Sequence, residues 1–307
     1  MIRRVNLPTP LERLPETAAA RGDVWVKRED VHELGAFKWR GALPTLEAYR
    51  AAGASGVVTA STGNHGAATA WSAARLGLSA TVFVPEAASR AKVALIRSLG
   101  AEIREAGRDF DHAKDAAGEF ARSRGLPFFE DGREPAQYEG YGVIASEILE
   151  QLPKAPTAVV VPVGNGALIG GIGEVVRRRA PETLVVGVVA KDAPVMEESW
   201  RKGEAVPGGR MATFADGLAV RVAIPYAVQV LDRVVDGMEL VSEREIARAV
   251  GRYAAARIRV EGAAAAALAA LPRLSKFPGA LVLVVTGRNI DEDLYRRAVE
   301  RAESFPD

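Results

Sequence analysis

No cysteine occurs in the 307 residues, so disulfides, thiolate nucleophiles and cysteine metal sites are excluded, and a reducing interior is the expected setting. An excess of one charge is missing too. Forty basic residues stand against 39 acidic ones, leaving a formal charge of +1, and no block of like charge offers an electrostatic footprint for nucleic acid. Long apolar runs are also lacking. No stretch reaches the length needed to cross a bilayer, and Arg3 and Arg4 are not followed by the apolar segment of a secretory leader. These absences point to a cytoplasmic protein whose partners are small molecules, with neither nucleic acid nor membrane among them.

What is present is material for a core. Nearly half the chain is apolar, enough for one large or two modest domains. Short β-branched runs at Gly56–Ala60, Ala80–Val84, Ala158–Val163, Leu184–Ala190 and Ala280–Val285 read as buried strands. Helical patterns fall at Asn64–Leu76, Arg90–Leu99, Tyr138–Gln151, Leu168–Arg179, Glu243–Arg257 and Gly262–Leu271, with Gly77 and Gly100 placed as C-caps. Strand and helix in alternation predict an α/β fold of parallel sheets covered on both faces, with sites on the loops that leave the carboxyl ends of strands. Gly132, Pro135, Gly140 and Gly142 between two such stretches suggest a crossover between lobes. The alanine run Ala263–Ala267 reads as plain helix.

Four segments carry chemistry. In Gly35-Ala36-Phe37-Lys38-Trp39-Arg40-Gly41-Ala42, one of only eight lysines stands between aromatic rings ahead of a helix. An amine in apolar company loses hydration and becomes a usable base or Schiff-base amine; a surface lysine in a loop would look the same. Ser61-Thr62-Gly63-Asn64-His65-Gly66 follows a strand and opens a helix, where backbone amides and hydroxyls suit a carboxylate or phosphate, or where Asn64 acts as an N-cap. Gly164-Asn165-Gly166-Ala167-Leu168-Ile169-Gly170-Gly171 again joins a strand to a helix, and its glycines let the backbone close on a phosphate. Ile169 stands where a dinucleotide fingerprint needs glycine, and no Gly-Lys-Ser/Thr follows, so neither that motif nor a P-loop is present. Thr286-Gly287-Arg288-Asn289 ends a strand, a place from which a hydroxyl reaches a crevice ligand or merely terminates the strand.

In their order and spacing these segments resemble fold-type II pyridoxal-phosphate enzymes, the tryptophan synthase beta-like superfamily, and within it threonine and serine dehydratases and serine racemases. The likeness runs from about Leu7 to Asp291. Ala215-Asp216-Gly217-Leu218-Ala219-Val220, Val241-Ser242-Glu243 and Glu261-Gly262-Ala263 extend it, matching the dehydratase patterns A-D-G-L-A-V and E-x-A-G-A. The resemblance implies a two-lobed, three-layer, doubly wound architecture: a large cofactor-binding domain over 1–51 and 137–307, and a small substrate-clamping domain over 52–136. It also implies a homodimer. It assigns Lys38 to the cofactor aldehyde as a Schiff base, Phe37 to the cofactor ring, Ser61, Thr62, Asn64 and His65 to the substrate carboxylate, and Asn64 also to the ring hydroxyl. Gly164, Asn165, Gly166, Ala167 and Leu168 fall to the phosphate and Thr286 to the ring nitrogen.

Departures from the family pattern bear on substrate. Ala36 replaces a serine, Thr62 the second serine, and Asn165 and Ala167 two glycines; Arg288 stands where a small residue is usual. Thr62 occupies the position that supplies the second-face proton in racemases. Ala212 stands where racemase-like members carry an acid, and Asp216 alone would not hold a divalent cation, so no metal is expected. The expected reaction is dehydration and deamination of a small L-hydroxy-amino acid to a 2-oxo acid and ammonia, with Lys38 as the base and pyridoxal phosphate as electron sink. A neutral hydroxyl at Thr286 does not force a proton onto the ring nitrogen, which favours elimination over transamination. Arg288 suggests a second anionic group on the substrate, as in 3-hydroxyaspartate. Rival readings are a racemase, a threonine synthase-like replacement enzyme and, in another class, a nicotinamide oxidoreductase, for which Asp192 after a strand gives slight support.

Overall fold

A computed structural model describes residues 7–19, 23–88, 90–274 and 277–307. Arg3 and Arg4, on which the leader reading turned, lie outside the described residues. The chain divides into two compact units: the residues up to Phe37 together with Tyr141–Asp307, and Lys38–Gly140.

The larger unit is built on a six-stranded sheet of β1 (Leu11–Arg13), β2 (Val24–Arg28), β6 (Ala158–Pro162), β7 (Leu184–Ala190), β8 (Gly237–Val241) and β9 (Leu281–Val285), in the order β1-β2-β9-β6-β7-β8. Every pairing is parallel except β1 with β2. All five residues of β6 and of β9 are buried, as expected of strands covered by helices on both faces. The alanine run lies in the helix Gly262–Ala269, every residue of which is buried. Its small side chains join one continuous core with β9 and the helix Glu243–Ala255.

The smaller unit holds a parallel sheet of β3 (Gly56–Ala60), β4 (Ser79–Val84) and β5 (Glu102–Glu105), in that order. Val58, Ala60 and Phe83 on the sheet pack with Ala117 and Ala121 of the helix Phe110–Arg124. Gly77 caps the helix Asn64–Leu76 with φ of 69°. The helix Trp39–Ala51, expected with the larger part, belongs to this unit. It packs on Asn64–Leu76, with the Trp39 and Trp71 rings in edge-on contact at 6.3 Å.

The change of unit falls between Gly140 and Tyr141, inside the helix Pro135–Gln151, which starts three residues before the expected Tyr138. Its glycines serve close packing: a Cβ on Gly140 would stand 2.0 Å from the Arg40 carbonyl oxygen, and one on Gly142 would meet the Gly171 oxygen at 3.0 Å. Gly100 follows the last helical residue, Ser98, by two positions and also takes a positive φ.

Candidate active site

In the smaller unit, Lys38 immediately precedes the helix Trp39–Ala51, and its amine lies 2.5 Å from Asp131 Oδ2. The expected apolar company is therefore partial: a carboxylate faces the amine. Burial alone would raise the Asp131 pKa. The Lys38 charge, with hydrogen bonds from Lys38 and Gln137, outweighs it and holds the carboxyl well below the usual carboxylate range.

β3 delivers Ser61 at its end, and Ser61 is buried. Its hydroxyl accepts the Gly63 amide at 3.2 Å. The N-cap of the following helix is Gly63, without a side-chain cap, so Asn64 is the first helical residue and not the cap. Ser61, Thr62, Gly63 and Asn64 thus form one turn over the start of a 13-residue helix, whose first amides have no acceptor within the helix. The ring of His65 turns away from that turn: Nε2 meets Thr59 Oγ1 at 3.1 Å and the Phe129 carbonyl at 3.3 Å, and Nδ1 lies 3.6 Å from Asp131 Oδ1. Burial lowers its pKa, partly opposed by Asp131 and the Phe129 carbonyl, so the ring is neutral at physiological pH.

In the larger unit, β6 leads through Val163 into Gly164, Asn165 and Gly166, and a 13-residue helix begins at Ala167. Gly166 has φ of 91°, the left-handed region that favours glycine. Gly164 is constrained by space, since a Cβ there would lie 2.3 Å from the Gly217 oxygen of the Ala-Asp-Gly segment. Asn165 has its own use: its Oδ1 accepts the Ala167 amide at 3.1 Å, closing the turn. The loop presents a helix start, free of acidic side chains in its first turn, to an anion.

Thr286 follows β9 and is buried, and its hydroxyl has no hydrogen-bond partner among the described residues. Its carbonyl accepts the Phe37 amide at 3.0 Å, one residue before Lys38. The Phe37 ring packs against Tyr141 at a centroid distance of 5.0 Å. Beside Gly287 sits the carboxylate of Glu261, which a Cβ at 287 would meet at 2.8 to 3.0 Å. Arg288 is exposed, makes no ion pair among the described residues, and is fixed by its amide on the Gly35 carbonyl at 2.9 Å. Asp192, which favoured a nicotinamide reading, is buried and paired with Arg210 at 3.1 Å. Among the described residues no group of three or more histidine, aspartate or glutamate side chains is placed to hold a metal ion.

Asp131, Gln137 and Glu261 were not singled out as site residues. Asp131 lies 93 positions from Lys38, and its only local mark is an acidic pair, Glu130 and Asp131, between two phenylalanines and a glycine.

The residues fit pyridoxal phosphate in three respects. A primary amine suits its aldehyde, a glycine turn at a helix start suits its phosphate, and the partnerless Thr286 hydroxyl suits its ring nitrogen. Comparison with known proteins agrees. An L-threonine ammonia-lyase of Geobacter sulfurreducens is 39% identical over 282 residues, 91% of this chain and 70% of that protein. Among solved structures, the processed form of threonine deaminase isoform 2 from Solanum lycopersicum superposes with a TM-score of 0.91 at 30% identity, covering 97% of this chain and 89% of the other. A pyridoxal 5'-phosphate-dependent aspartate racemase superposes with a TM-score of 0.86 at 27% identity, covering 94% and 92%. The family model described as pyridoxal-phosphate dependent enzyme matches residues 2–287, so the chain, with an amine, an anion turn and a hydroxyl suited to that cofactor, belongs to the fold-type II pyridoxal-phosphate dependent enzymes.

Proposed function

We propose that the chain is an ammonia-lyase that dehydrates a small L-hydroxy-amino acid of the threonine or serine type to a 2-oxo acid and ammonia. The observation that carries the elimination reading is the buried, partnerless hydroxyl of Thr286. A neutral hydroxyl, unlike a carboxylate, leaves a pyridine nitrogen free to stay unprotonated, which favours expulsion of a β-group over storage of charge. When bound, pyridoxal phosphate supplies the electron sink for loss of the α-proton.

The remaining roles fall to this chain's own side chains. Lys38 would hold the cofactor's aldehyde, and its amine is the base for the proton on the substrate α-carbon. Gly164, Asn165, Gly166, Ala167 and Leu168 hold the phosphate, and Phe37 packs on the ring. Ser61, Thr62 and Asn64 take the substrate carboxylate with the first helical amides. His65 serves that turn through its backbone, since its ring is engaged elsewhere. In this reading the larger unit binds the cofactor, the smaller clamps the substrate, and the enzyme works as a cytoplasmic homodimer. No helix among the described residues is long and apolar enough to cross a membrane.

A second reading is favoured by one observation, the exposed guanidinium of Arg288, unpaired among the described residues, which suits a substrate with a second carboxylate such as 3-hydroxyaspartate. The likeness to an aspartate racemase supports it. One panel tests both: L-threonine, L-serine and 3-hydroxyaspartate are scored for keto acid and ammonia. Release from threonine or serine, abolished in Lys38→Ala, is the expected result; no release from any of the three would sink the proposal. Preference for hydroxyaspartate that disappears in Arg288→Ala would establish the second reading.

A further inference from the structure

Asp131 is gripped from behind. One oxygen, Oδ2, meets the Lys38 amine, and the other accepts the Gln137 Nε2 hydrogen at 3.1 Å. Gln137 is fully buried and is fixed in turn, its Oε1 accepting the Gly132 amide at 2.8 Å. The carboxylate cannot turn without breaking bonds on both sides.

His65, on the helix Asn64–Leu76, lies beside it, and the tautomer of the ring follows from its partners. The Phe129 carbonyl can only accept, and the Thr59 hydroxyl already donates to that carbonyl at 2.7 Å. Nε2 therefore carries the ring proton, and Nδ1, which has none, makes no hydrogen bond with Asp131 Oδ1 3.6 Å away, so the ring does not compete with Lys38 for the carboxylate. The other charges nearby are spent elsewhere: Glu130 pairs with Lys114 at 2.5 Å and with Arg133 at 2.7 Å. Lys38, Asp131 and neutral His65 thus form a group in which an ionised carboxylate is reserved for one amine.

We propose that Asp131, backed by Gln137 and left to a single amine by the neutral His65, is a positioning residue for Lys38, fixing the amine and bearing its countercharge when it takes up a proton. The inference rests on the reading of Lys38 as the reacting amine. In that step the α-carbon–hydrogen bond breaks, its electron pair stays behind to expel the β-hydroxyl, and the proton binds the lone pair of the amine. A neutral amine becomes an ammonium. In a partly buried place that product is costly unless a carboxylate is already fixed beside it.

Asp131→Asn keeps the shape and the acceptor for Gln137 but removes the charge. The cofactor-free variant is expected to bind pyridoxal phosphate, followed by absorbance, with near-parental affinity and to keep its melting temperature. Its kcat should fall on the order of 10²-fold with KM little changed, and the primary isotope effect with α-deuterated substrate should grow because carbon–hydrogen cleavage becomes slower. Asp131→Glu should restore part of kcat. In ¹⁵N spectra of the cofactor-free parent, one of the three histidines should be the neutral Nε2–H tautomer. Parental kcat in Asp131→Asn, an unchanged isotope effect, equal losses of affinity and turnover in both variants, or a charged His65 at neutral pH would each overturn the proposal. Lys38→Ala separates the two levels: if it still turns over, the reading of Lys38 itself fails, whereas an active Asp131→Asn beside an inactive Lys38→Ala removes only the role of Asp131.

Discussion

Thr286 shows how one atom can serve function against stability. A buried hydroxyl without a partner costs about 1–3 kcal/mol, and this one has none among the described residues. Thr286→Val keeps the shape and removes the orphan. The cofactor-free variant should melt at an equal or higher temperature than the parent, while its affinity for pyridoxal phosphate should fall by about tenfold, the worth of one hydrogen bond. A variant that lost stability but kept affinity would show that the hydroxyl does not face the cofactor. Thr286 and Lys38 were legible because each sits in a short string whose neighbours carry the same message: a strand end in one case, glycines and aromatics in the other. Asp131 was not, because its meaning lies in a partner 93 positions away that only folding brings near. His65 was legible in position but not in orientation, since a string of letters does not say which way a ring turns.

At the scale of elements, what could be read depended on burial. β3, β4, β6, β7 and β9 are apolar along nearly their whole length, because helices cover both faces of a parallel sheet. β2 hides from such a reading because it carries Lys27, which is fully buried and satisfied by Glu147 at 2.6 Å and the Thr9 carbonyl at 2.7 Å. β5, Glu-Ile-Arg-Glu, is a partly exposed edge strand, and β8 is another edge with only one buried residue. The helix Pro135–Gln151 begins three residues before the expected Tyr138, and its Gly140 and Gly142 mark close backbone approach instead of bends. The turn before the helix Ala167–Arg179 holds the conformational demand that matters most, Gly166 at φ of 91°. Gly166→Ala should cost about 1–3 kcal/mol in denaturant unfolding and weaken binding of the cofactor phosphate, read by titration of the cofactor-free protein. Unaltered stability with unaltered affinity would mean that the turn tolerates an L-residue there and that the loop assignment is wrong.

For the molecule as a whole, the same site predicts how stability depends on pH. His65 titrates near 6.5 when unfolded and lower when buried, so below about 6.5 the unfolded chain binds more protons than the folded one, and stability falls as pH falls. Asp131, depressed from 3.8, adds its loss only below about that pH. Glu243 runs the other way: burial raises it from 4.5, so its contribution is present below that value and fades as pH rises through its folded pKa. Just below 6.5, before either Asp131 or the unfolded-state titration of Glu243 enters, His65 is the buried group whose protonation opposes the fold. Melting temperatures measured from neutral pH down to about 5 should therefore decline in the parent and decline less steeply in His65→Gln, which cannot take up the proton. Parallel slopes for the two proteins would show that the ring is already charged in the fold, where it would share the Asp131 carboxylate with Lys38.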